Sequence, residues 1–284
     1  MRGFVQYVQR NPSLGWGLGI LLGLVLFSVV GRQFIDPKNA YALATMPDLP
    51  PTREHPFGTD SQGKDLLASV ILGTGMTLQI GAIAGIIGIG IGTILGFVSG
   101  YYGGVVDNVI TSVVDVVLTM PAFLILVLIA SILARGSDLK TLQMGLIVSV
   151  VSWAFPTRAI RAQVLSMRQR PFVMMAKLSG MKGPEIIAKE LVPNLLPYLA
   201  MSLAQSVYGG VIGSLGLQAL GIGDRRQPYL GMIIYWITFY SAFLRGLWWW
   251  ILEPVAMIIL LLTALMLISF GLDEVANPRV RRRV

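Results

Sequence analysis

Long apolar stretches separated by short polar segments run along most of this chain. A helix that crosses a bilayer needs about 20 mostly apolar residues. Six stretches reach that length, at residues 14–35, 78–101, 109–133, 142–160, 191–220 and 249–272. The pattern predicts an all-α, polytopic membrane protein with about six transmembrane helices. The first stretch is too long for the apolar part of a secretory signal, so we expect it to be retained as a helix.

Basic residues are concentrated in three polar segments, and membrane proteins keep such segments in the cytoplasm. They are Arg2, Arg10, Arg158, Arg161, Arg168, Arg170, Lys177, Lys182, Lys189, Arg279, Arg281, Arg282 and Arg283. An even number of spans places both termini on one side, which we predict to be cytoplasmic. The chain is predicted to begin with a cytoplasmic N-terminus and the first helix (1–35), followed by an extracytoplasmic loop (36–77). A five-helix core (78–272) comes next, and it includes a cytoplasmic coupling segment (161–190) and a second extracytoplasmic loop (221–248). The chain ends in a basic cytoplasmic tail (273–284).

Composition narrows the classes of function. Of the 284 residues, 55% are hydrophobic and 13% are charged, which is typical of an integral membrane protein. The chain has no cysteine and a single histidine, His55, which argues against a disulfide framework and a transition-metal site. The net charge of +8 resides in the loops between apolar stretches, so it indicates topology and no nucleic-acid partner.

One segment has the spacing of a phosphate-binding loop, with Gly58, Gly63 and Lys64. Asp65 follows where such a loop requires Ser or Thr for magnesium, and no apolar strand precedes the segment. No other stretch supplies a nucleophile with its base or paired carboxylates in a credible cleft. We therefore expect a non-enzymatic chain.

Two apolar stretches are rich in glycine. In the second stretch, small-residue spacing of this kind permits close helix packing, and the alternative is a flexible element that lines a pathway. The residues are Gly81, Gly85, Gly88, Gly92, Gly96 and Gly100. The fifth stretch carries glycines from Gly209 to Gly223, so we expect it to break there and to line a pore. The candidate lining residues are Gln205, Tyr208, Gly209 and Ser214.

Few charges lie near or within the spans. Asp107 and Asp115, at the start of the third stretch, would be functional if deeply buried. Near a helix N-terminus they can instead interact with its dipole or form salt bridges. We expect this structural role for both, with Arg158 and Arg161 as further support of the cytoplasmic face. At the other side of the membrane, Glu253 and Arg245 predict an ion pair or a water contact.

The polar segment 172–197 is the strongest indication of function. A short helix at 172–179 should end at Gly180, because Gly183 and Pro184 follow closely, and a second helix should enter the membrane at Pro193. This arrangement predicts a knob that projects into the cytoplasm and docks to a motor protein.

The motifs of this chain, taken in order, resemble the second ("C"-type) permease subunit of dipeptide, oligopeptide and nickel ATP-binding-cassette (ABC) importers. The resemblance covers nearly the whole chain. It rests on His55-Pro-Phe-Gly-Thr-Asp60-Ser-Gln-Gly-Lys64-Asp65, Gly100-Tyr-Tyr-Gly-Gly104, Asp107, Asp115, Pro121, Trp153, Arg158, Arg161, Ala176, Gly180, Pro193, Asn194, Pro197, Leu220-Gly-Ile-Gly223 and Asn277-Pro278-Arg279.

The knob resembles the family's coupling segment, in which Glu-Ala-Ala is followed by three residues and Gly, with Pro thirteen residues later. Gly180 and Pro193 hold that spacing, whereas Met174 and Met175 replace the Glu and the first Ala. Methionine suits an adaptable apolar contact, and the alternative is that both methionines pack against this chain's own helices. The resemblance implies that ATPase coupling involves Phe172, Val173, Met174, Met175, Ala176, Lys177, Ser179, Gly180, Met181 and Lys182.

Two further positions depart from the family's pattern. Ser112 stands where relatives often carry Arg between the two acids. Residues 223–231 read Gly-Asp-Arg-Arg-Gln-Pro-Tyr-Leu-Gly and replace a proline-rich stretch. The second departure lies in the outer loop, where a substrate-delivering partner would dock.

The resemblance implies a type I ABC importer permease fold in the lipid bilayer of a prokaryotic cell (inner) membrane. The chain would form half of a pathway together with a homologous second permease subunit, two ATP-binding-cassette ATPase subunits and an extracytoplasmic substrate-binding protein. No cofactor is expected in this chain, because ATP and Mg would bind to the ATPase subunits. Peptides are the expected substrates, with oligosaccharides, and less so nickel, as alternatives.

Two other classes of transporter are alternatives. A stand-alone ion-coupled carrier would need carboxylates or histidines at midspan, and the apolar stretches lack them there. An ion channel subunit would need a filter-like loop or an acidic ring, and neither is evident in the sequence.

Overall fold

The computed structural model describes residues 11–134 and 138–276, and within these ranges the chain is helical without a β-strand. The predicted positions Arg2, Arg10, Asn277, Pro278, Arg279, Arg281, Arg282 and Arg283 lie outside the described residues. We number the helices α1 (Pro12–Gly31), α2 (Leu66–Tyr102), α3 (Gly104–Thr119), α4 (Ala122–Leu133), α5 (Thr141–Ser152), α6 (Ala154–Met167), α7 (Pro171–Leu178), α8 (Gly183–Ile186), α9 (Val192–Ala219), α10 (Leu230–Phe239) and α11 (Trp248–Ala276).

Four helical segments of the described chain are long and apolar enough to cross a membrane. They are α1, α2, α11 and the continuous segment Gly183–Ala219, in which a π-helical turn (Ile187–Leu191) joins α8 to α9. The pair α3 and α4 passes the same test only as one broken span. The all-α, multi-pass fold class is confirmed, but the described residues contain four or five such spans where the sequence predicted about six.

The predicted third span, 109–133, is bent. Its halves α3 and α4 meet at an angle of 83°. Pro121 explains the bend, because proline disfavours helical backbone in the preceding residue, and Met120 is indeed extended with ψ of 139°. The second half of this predicted span therefore runs across the direction of the first.

The predicted fourth span, 142–160, is divided at Trp153 into α5 and α6. Pro156 has no N–H to donate to the carbonyl of Ser152, and its ring crowds that carbonyl. The regular hydrogen-bond pattern is therefore lost at this point. Each half is shorter than a span, and for this reason the number of long apolar helices is below six.

The helix α2 lies at the centre of the molecule and packs against α1, α3, α5, α6 and α9. Its glycines face these neighbours as close-packed positions. A Cβ at Gly85 would lie 2.7 Å from the backbone nitrogen of Val207, and a Cβ at Gly96 would lie 2.9 Å from the Cβ of Ile160. The structure thus assigns the glycine row to helix packing, the first of the two alternatives.

The N-terminus of α2 lies earlier than predicted. The helix begins at Leu66 rather than at 78, because the carboxylate of Asp65 accepts a hydrogen bond from the backbone N–H of Ala68 and caps the first turn. The first loop is therefore residues 32–65, and residues 66–77, which the sequence predicted to lie in the extracytoplasmic loop, are helical. Residues 66–77, including the buried Thr74 and Thr77, belong to the helical core.

The predicted break in the fifth stretch is also wrong. The helix α9 continues through Gly209, Gly210, Gly213 and Gly216 and ends at Ala219. The Cβ position of Gly210 is 3.0 Å from the carbonyl oxygen of Gly81 on α2, and those of Gly213 and Gly216 contact side chains of α4. Close packing at these three glycines compensates for their low helix propensity. The backbone turns only at Gly221, whose φ is +77°.

The two ends of the bundle differ. One end, which we call the loop end, carries the first loop, the segment 220–229 and the connection from α10 to α11. Arg245 donates to the carboxylate of Asp48 and to the hydroxyl of Ser61, and so ties that connection to the first loop. Arg245 and Glu253 form no ion pair with each other, and among the residues that the structure describes the Oε2 atom of Glu253 is buried without a hydrogen-bond partner. The other end, the knob end, carries α7 and α8.

Candidate functional site

The helix α7 is a short helix with defined ends. Pro171 occupies its first turn, where a missing N–H costs nothing. After Leu178 the chain reverses at Gly180, whose φ is +81°, and the N–H of Met181 donates to the carbonyl of Ala176 over 3.2 Å. This is the usual glycine-dependent end of a helix. The predicted knob therefore exists, with its glycine at the predicted position.

One face of α7 is buried and the opposite face is not. Val173 is fully buried and Ala176 nearly so, within an apolar cluster that includes Ile160 and Ile186. Phe172 and Met181 are partly buried against the same cluster. This face holds the knob on the helical bundle.

The outer face of α7 is apolar and exposed. Met174, Met175 and Leu178 have exposed fractions of 58%, 64% and 83%. More than half of the surface of each methionine is therefore free of contact with the helices of the described chain, which favours the adaptable apolar contact over packing within this chain. Leu178 was not among the predicted coupling residues, although its spacing of three and four residues from the methionines places it on the same face of the helix. We call these three residues the apolar knob face.

The polar residues of the knob border that face. Lys177, Ser179 and Lys182 are exposed. The hydroxyl of Ser179 donates to the carbonyl of Met175, and the ammonium of Lys177 lies 5.5 Å from the ring centroid of Tyr101 at the end of α2. Lys177 thus has a cation–π contact that holds α7 near α2.

The knob is also attached to α2 through its flanking residues. The guanidinium of Arg168, just after α6, donates to the carbonyl of Gly100 over 3.1 Å. A Cβ at Gly183 would lie 3.0 Å from the hydroxyl of Tyr102, so α8 packs directly on the last turn of α2. The knob is thus in contact with the end of the central helix as well as with the apolar cluster around Ile160.

The predicted cytoplasmic-face residues form two ion pairs. Arg161 donates from Nε to Oδ1 of Asp107 over 2.5 Å and from Nη2 to Oδ2 over 2.6 Å. Arg158 pairs with Asp115 at a more exposed position. Both pairs join α3 to α6, and the hydroxyl of Ser99 on α2 also donates to Asp107. The four residues act together as a connection between helices near the knob.

A cavity of about 510 Å³ lies between α4, α5, α6 and α9. Its walls are largely apolar, and none of its lining residues carries a charge. The lining comprises Ala122, Phe123, Leu126, Val148, Val151, Ser152, Phe155, Pro156, Ala159, Ser202, Gln205, Ser206, Gly209, Ile212, Gly213 and Gly216. Its polar groups are confined to the hydroxyls of three serines and the amide of Gln205.

Two of the four predicted pathway residues line this cavity. Gln205 and Gly209 do so, whereas Tyr208 packs in the apolar cluster formed with α1, α10 and α11. Ser214 is fully buried, and its hydroxyl donates to the carbonyl of Val211 within α9. Tyr208 and Ser214 therefore do not line this cavity, because helical periodicity turns both side chains away from it. Ser202 and Ser206, at helical spacing from Gln205 and Gly209, line it instead.

The sequence matches known proteins over most of its length. Residues 92–282 match the family described as the binding-protein-dependent transport system inner membrane component. The chain is 30% identical over 276 residues to the dipeptide transport system permease protein DppC of Bacillus subtilis (strain 168), which covers 97% of this chain and 84% of that protein. It is 24% identical over 277 residues to the oligopeptide transport system permease protein OppC of the same organism, covering 96% and 88%.

A solved structure has a similar fold. A chain of the MetNI methionine ABC transporter, in an inward facing conformation, matches with a TM-score of 0.59 and 20% sequence identity. The match covers 76% of this chain and 97% of that chain. At this identity the likeness concerns the fold alone.

Proposed function

The chain belongs to the family of binding-protein-dependent transport system inner membrane components, and from this membership we propose that it forms half of an ATP-driven pathway for peptides. It is a multi-pass membrane protein and a permease subunit of an ABC importer, as the resemblance implied. Importers of this family work with ATPase and binding-protein partners. The subunit composition of the complete importer is also part of the proposal. Besides this chain, it comprises a homologous second permease, two ATPase subunits and one extracytoplasmic binding protein.

Peptides are the favoured substrates for two reasons. The relatives that cover most of this chain are named dipeptide and oligopeptide permeases. The cavity of about 510 Å³ has uncharged walls, so it offers no strong site for a particular side chain or for a nickel ion. Such a surface admits peptides of varied sequence, and selection is left to the binding protein. Oligosaccharides find no comparable support among these relatives.

The apolar knob face is the observation that carries the coupling proposal. Met174, Met175 and Leu178 expose an apolar patch at a site that is anchored through α2 and α6. An ATPase groove that buries this patch would gain affinity from apolar area, and methionine adapts to its shape. This chain itself would be non-catalytic, with ATP and Mg bound to the ATPase subunits.

The orientation follows from charge. The knob end carries Arg158, Arg161, Arg168, Arg170, Lys177, Lys182 and Lys189, and basic segments stay in the cytoplasm. The knob end is therefore proposed to be cytoplasmic, as are both termini, and the loop end extracytoplasmic. Closure of the ATPase pair would move α7 and tilt the helices attached to it, which exchanges inward-open and outward-open states.

The coupling proposal is tested with single charges on the apolar knob face. The importer is reconstituted in liposomes with Met175→Asp or Leu178→Asp, and ATP hydrolysis and uptake of labelled di- and oligopeptides are measured. Both side chains are exposed, so the variants should fold and reach the membrane, yet uptake should fall at least tenfold. Ala188→Asp is the matched control, because Ala188 is exposed near the knob but outside that face. Normal uptake by the two variants would refute the coupling role of the face.

Partner composition requires a separate experiment. The tagged chain is purified in mild detergent, and the proteins that co-purify are identified by mass spectrometry. We expect this chain, the second permease and the ATPase subunits in a 1:1:2 ratio. Recovery of the chain alone, still active in liposomes without ATP, would support the stand-alone carrier instead.

A further inference from the structure

A second pocket, of about 400 Å³, lies at the loop end between the first loop, the segment 220–229 and α10. Positively charged and aromatic side chains line it. The residues that matter here are Tyr41, Gln62, Lys64, Arg225, Arg226 and Trp236. Three cations thus meet in one small cleft, and we call it the cationic pocket.

Lys64 is the unusual member of this set. Its residue is only 4% exposed, and its ammonium lies 5.7 Å from the ring centroid of Trp236. Within residues 11–134 and 138–276 the ammonium has no hydrogen bond and no ion pair. Burial lowers the pKa of this ammonium, while the charges of Asp60 and Asp224 act in the opposite direction. An anion that enters the pocket would add a hydrogen-bond acceptor for this ammonium.

The two arginines complete a site open to the outside. The Nε of Arg225 donates to the carbonyl of Gly221 over 3.1 Å, and its guanidinium lies 5.4 Å from the ring centroid of Tyr235. Its position is therefore fixed by the protein. Arg226 is exposed at the mouth of the pocket, and its backbone is held by a hydrogen bond from its N–H to the carboxylate of Asp224.

The cations line the pocket itself, whereas the acidic groups lie around it. Lys64, Arg225 and Arg226 belong to the lining. Asp60 and Asp224 act on Lys64, and Asp138 lines a neighbouring pocket together with Arg225. Asp60 accepts hydrogen bonds from the backbone N–H groups of Gln62 and Lys64, and Asp224 accepts one from the backbone N–H of Arg226. The exposed guanidinium of Arg226 stands at the mouth of the pocket, where a further acceptor can reach it.

The pocket is separate from the membrane cavity. None of its lining residues lines the cavity between α4, α5, α6 and α9. An acidic residue carried by a protein that docks at the loop end would reach this pocket without entering that cavity. The arginines also belong to the stretch 223–231, where this chain departs from the pattern of the family it resembles.

We infer that the cationic pocket receives the carboxylate of an Asp or Glu side chain on the docking surface of the substrate-binding protein. Arg225 and Arg226 would form hydrogen-bonded ion pairs with that carboxylate, and Lys64 would place a third positive charge beside it. The inference rests on the proposed function, because it needs a binding protein at the loop end. It adds a specific recognition site to that function.

The test uses the complete importer in nanodiscs and, as probe, the peptide-loaded binding protein that co-purifies with it. The concentration of binding protein that half-maximally stimulates ATP hydrolysis is measured. For the double variant Arg225→Gln/Arg226→Gln we expect a rise of about tenfold, with a weaker dependence on salt, because interfacial charges steer association. Lys64→Met should act in the same direction. Arg53→Gln, which removes an exposed charge from the first loop outside the pocket, should leave the value unchanged.

A second arm separates the two sources of a carboxylate. The binding protein is loaded with a peptide that has either a free or an amidated C-terminus. An equal effect of the arginine variants with both peptides supports the inference. An effect confined to the free acid would assign the pocket to the substrate and overturn it. Unaltered stimulation in the arginine variants would also overturn it, whereas absence of stimulation in the wild-type importer would overturn the proposed function together with this inference.

Discussion

Arg161 on α6 holds Asp107 on α3 through two parallel hydrogen bonds, from Nε to Oδ1 and from Nη2 to Oδ2. Paired geometry of this kind is among the strongest side-chain contacts in proteins. Ser99 on α2 donates to the same carboxylate, so one acidic side chain joins three helices just above the knob. The helices α2, α3 and α6 beside the knob are therefore held together by polar contacts as well as by apolar packing.

We predict that Asp107→Asn lowers the free energy of unfolding by about 1.5–3 kcal/mol, the range for hydrogen bonds to charged groups. The matched control is Asp115→Asn. Its pair with Arg158 is about half exposed on both sides, so the loss should be about 0–1 kcal/mol. Unfolding of the detergent-solubilised importer, followed by tryptophan fluorescence, measures both. Equal losses in the two variants would contradict the special role of Asp107.

Gly180→Leu should reduce coupling without removing the chain from the membrane. The backbone at Gly180 has φ of +81°, which costs a residue with a side chain about 1–2 kcal/mol. Nothing lies within 4 Å of its Cβ position, so the effect comes from the backbone and not from a clash. Gly180→Asn tolerates this conformation better and should retain most of the activity. The measurement is peptide uptake per ATP hydrolysed, and a normal ratio for the leucine variant would count against the prediction.

Two glycines on α2 offer a direct test of the packing argument. Gly85→Val should destabilise the chain by about 1–3 kcal/mol or more, because its Cβ would lie 2.7 Å from the backbone nitrogen of Val207. Gly90→Val makes the same chemical change on the same helix, where nothing lies within 4 Å. We expect the second variant to retain wild-type thermal stability. Similar melting temperatures for both variants would contradict the close approach of α2 and α9.

Gly209→Leu should obstruct transport while the fold stays intact. Gly209 lines the membrane cavity, and its Cβ position is free of neighbours, so a leucine would extend into the cavity. We expect peptide uptake to fall severalfold while the variant keeps its melting temperature. Gly23→Leu is the control, since Gly23 is exposed on α1 and is also free of neighbours. If both variants transport at the wild-type rate, the cavity does not belong to the pathway.

The features that the sequence predicts well are those set by local spacing. The glycine row of α2 packs as its spacing indicates, and the end of α7 falls at Gly180 because only a glycine adopts that backbone easily. The bend at Pro121 was accessible from the same kind of signal, since a proline disfavours helical backbone before it. Treating 109–133 as one uninterrupted apolar stretch overlooked this signal.

Features that depend on neighbouring helices were not predictable in the same way. Gly209 to Gly216 predict a break, yet α9 stays helical through them, with Gly210 packed against α2 and with Gly213 and Gly216 packed against α4. Ser214 is polar but faces the protein interior, where its own helix accepts its hydrogen bond. Lys64 lines the same pocket as Arg225 and Arg226, which lie about 160 residues further along the chain. Spacing along the chain contains no signal for such a long-range arrangement.

The length of α2 has a mechanical consequence. With 37 residues the helix is about 55 Å long, well beyond the thickness of the apolar part of a bilayer. Its last turn carries the knob, and its first turn is capped by Asp65 of the first loop. In a straight rod of this length, a tilt of ~5° with Tyr102 held in place displaces Leu66 by ~5 Å. A small change in the angle of this helix therefore moves its first turn by more than the length of a hydrogen bond.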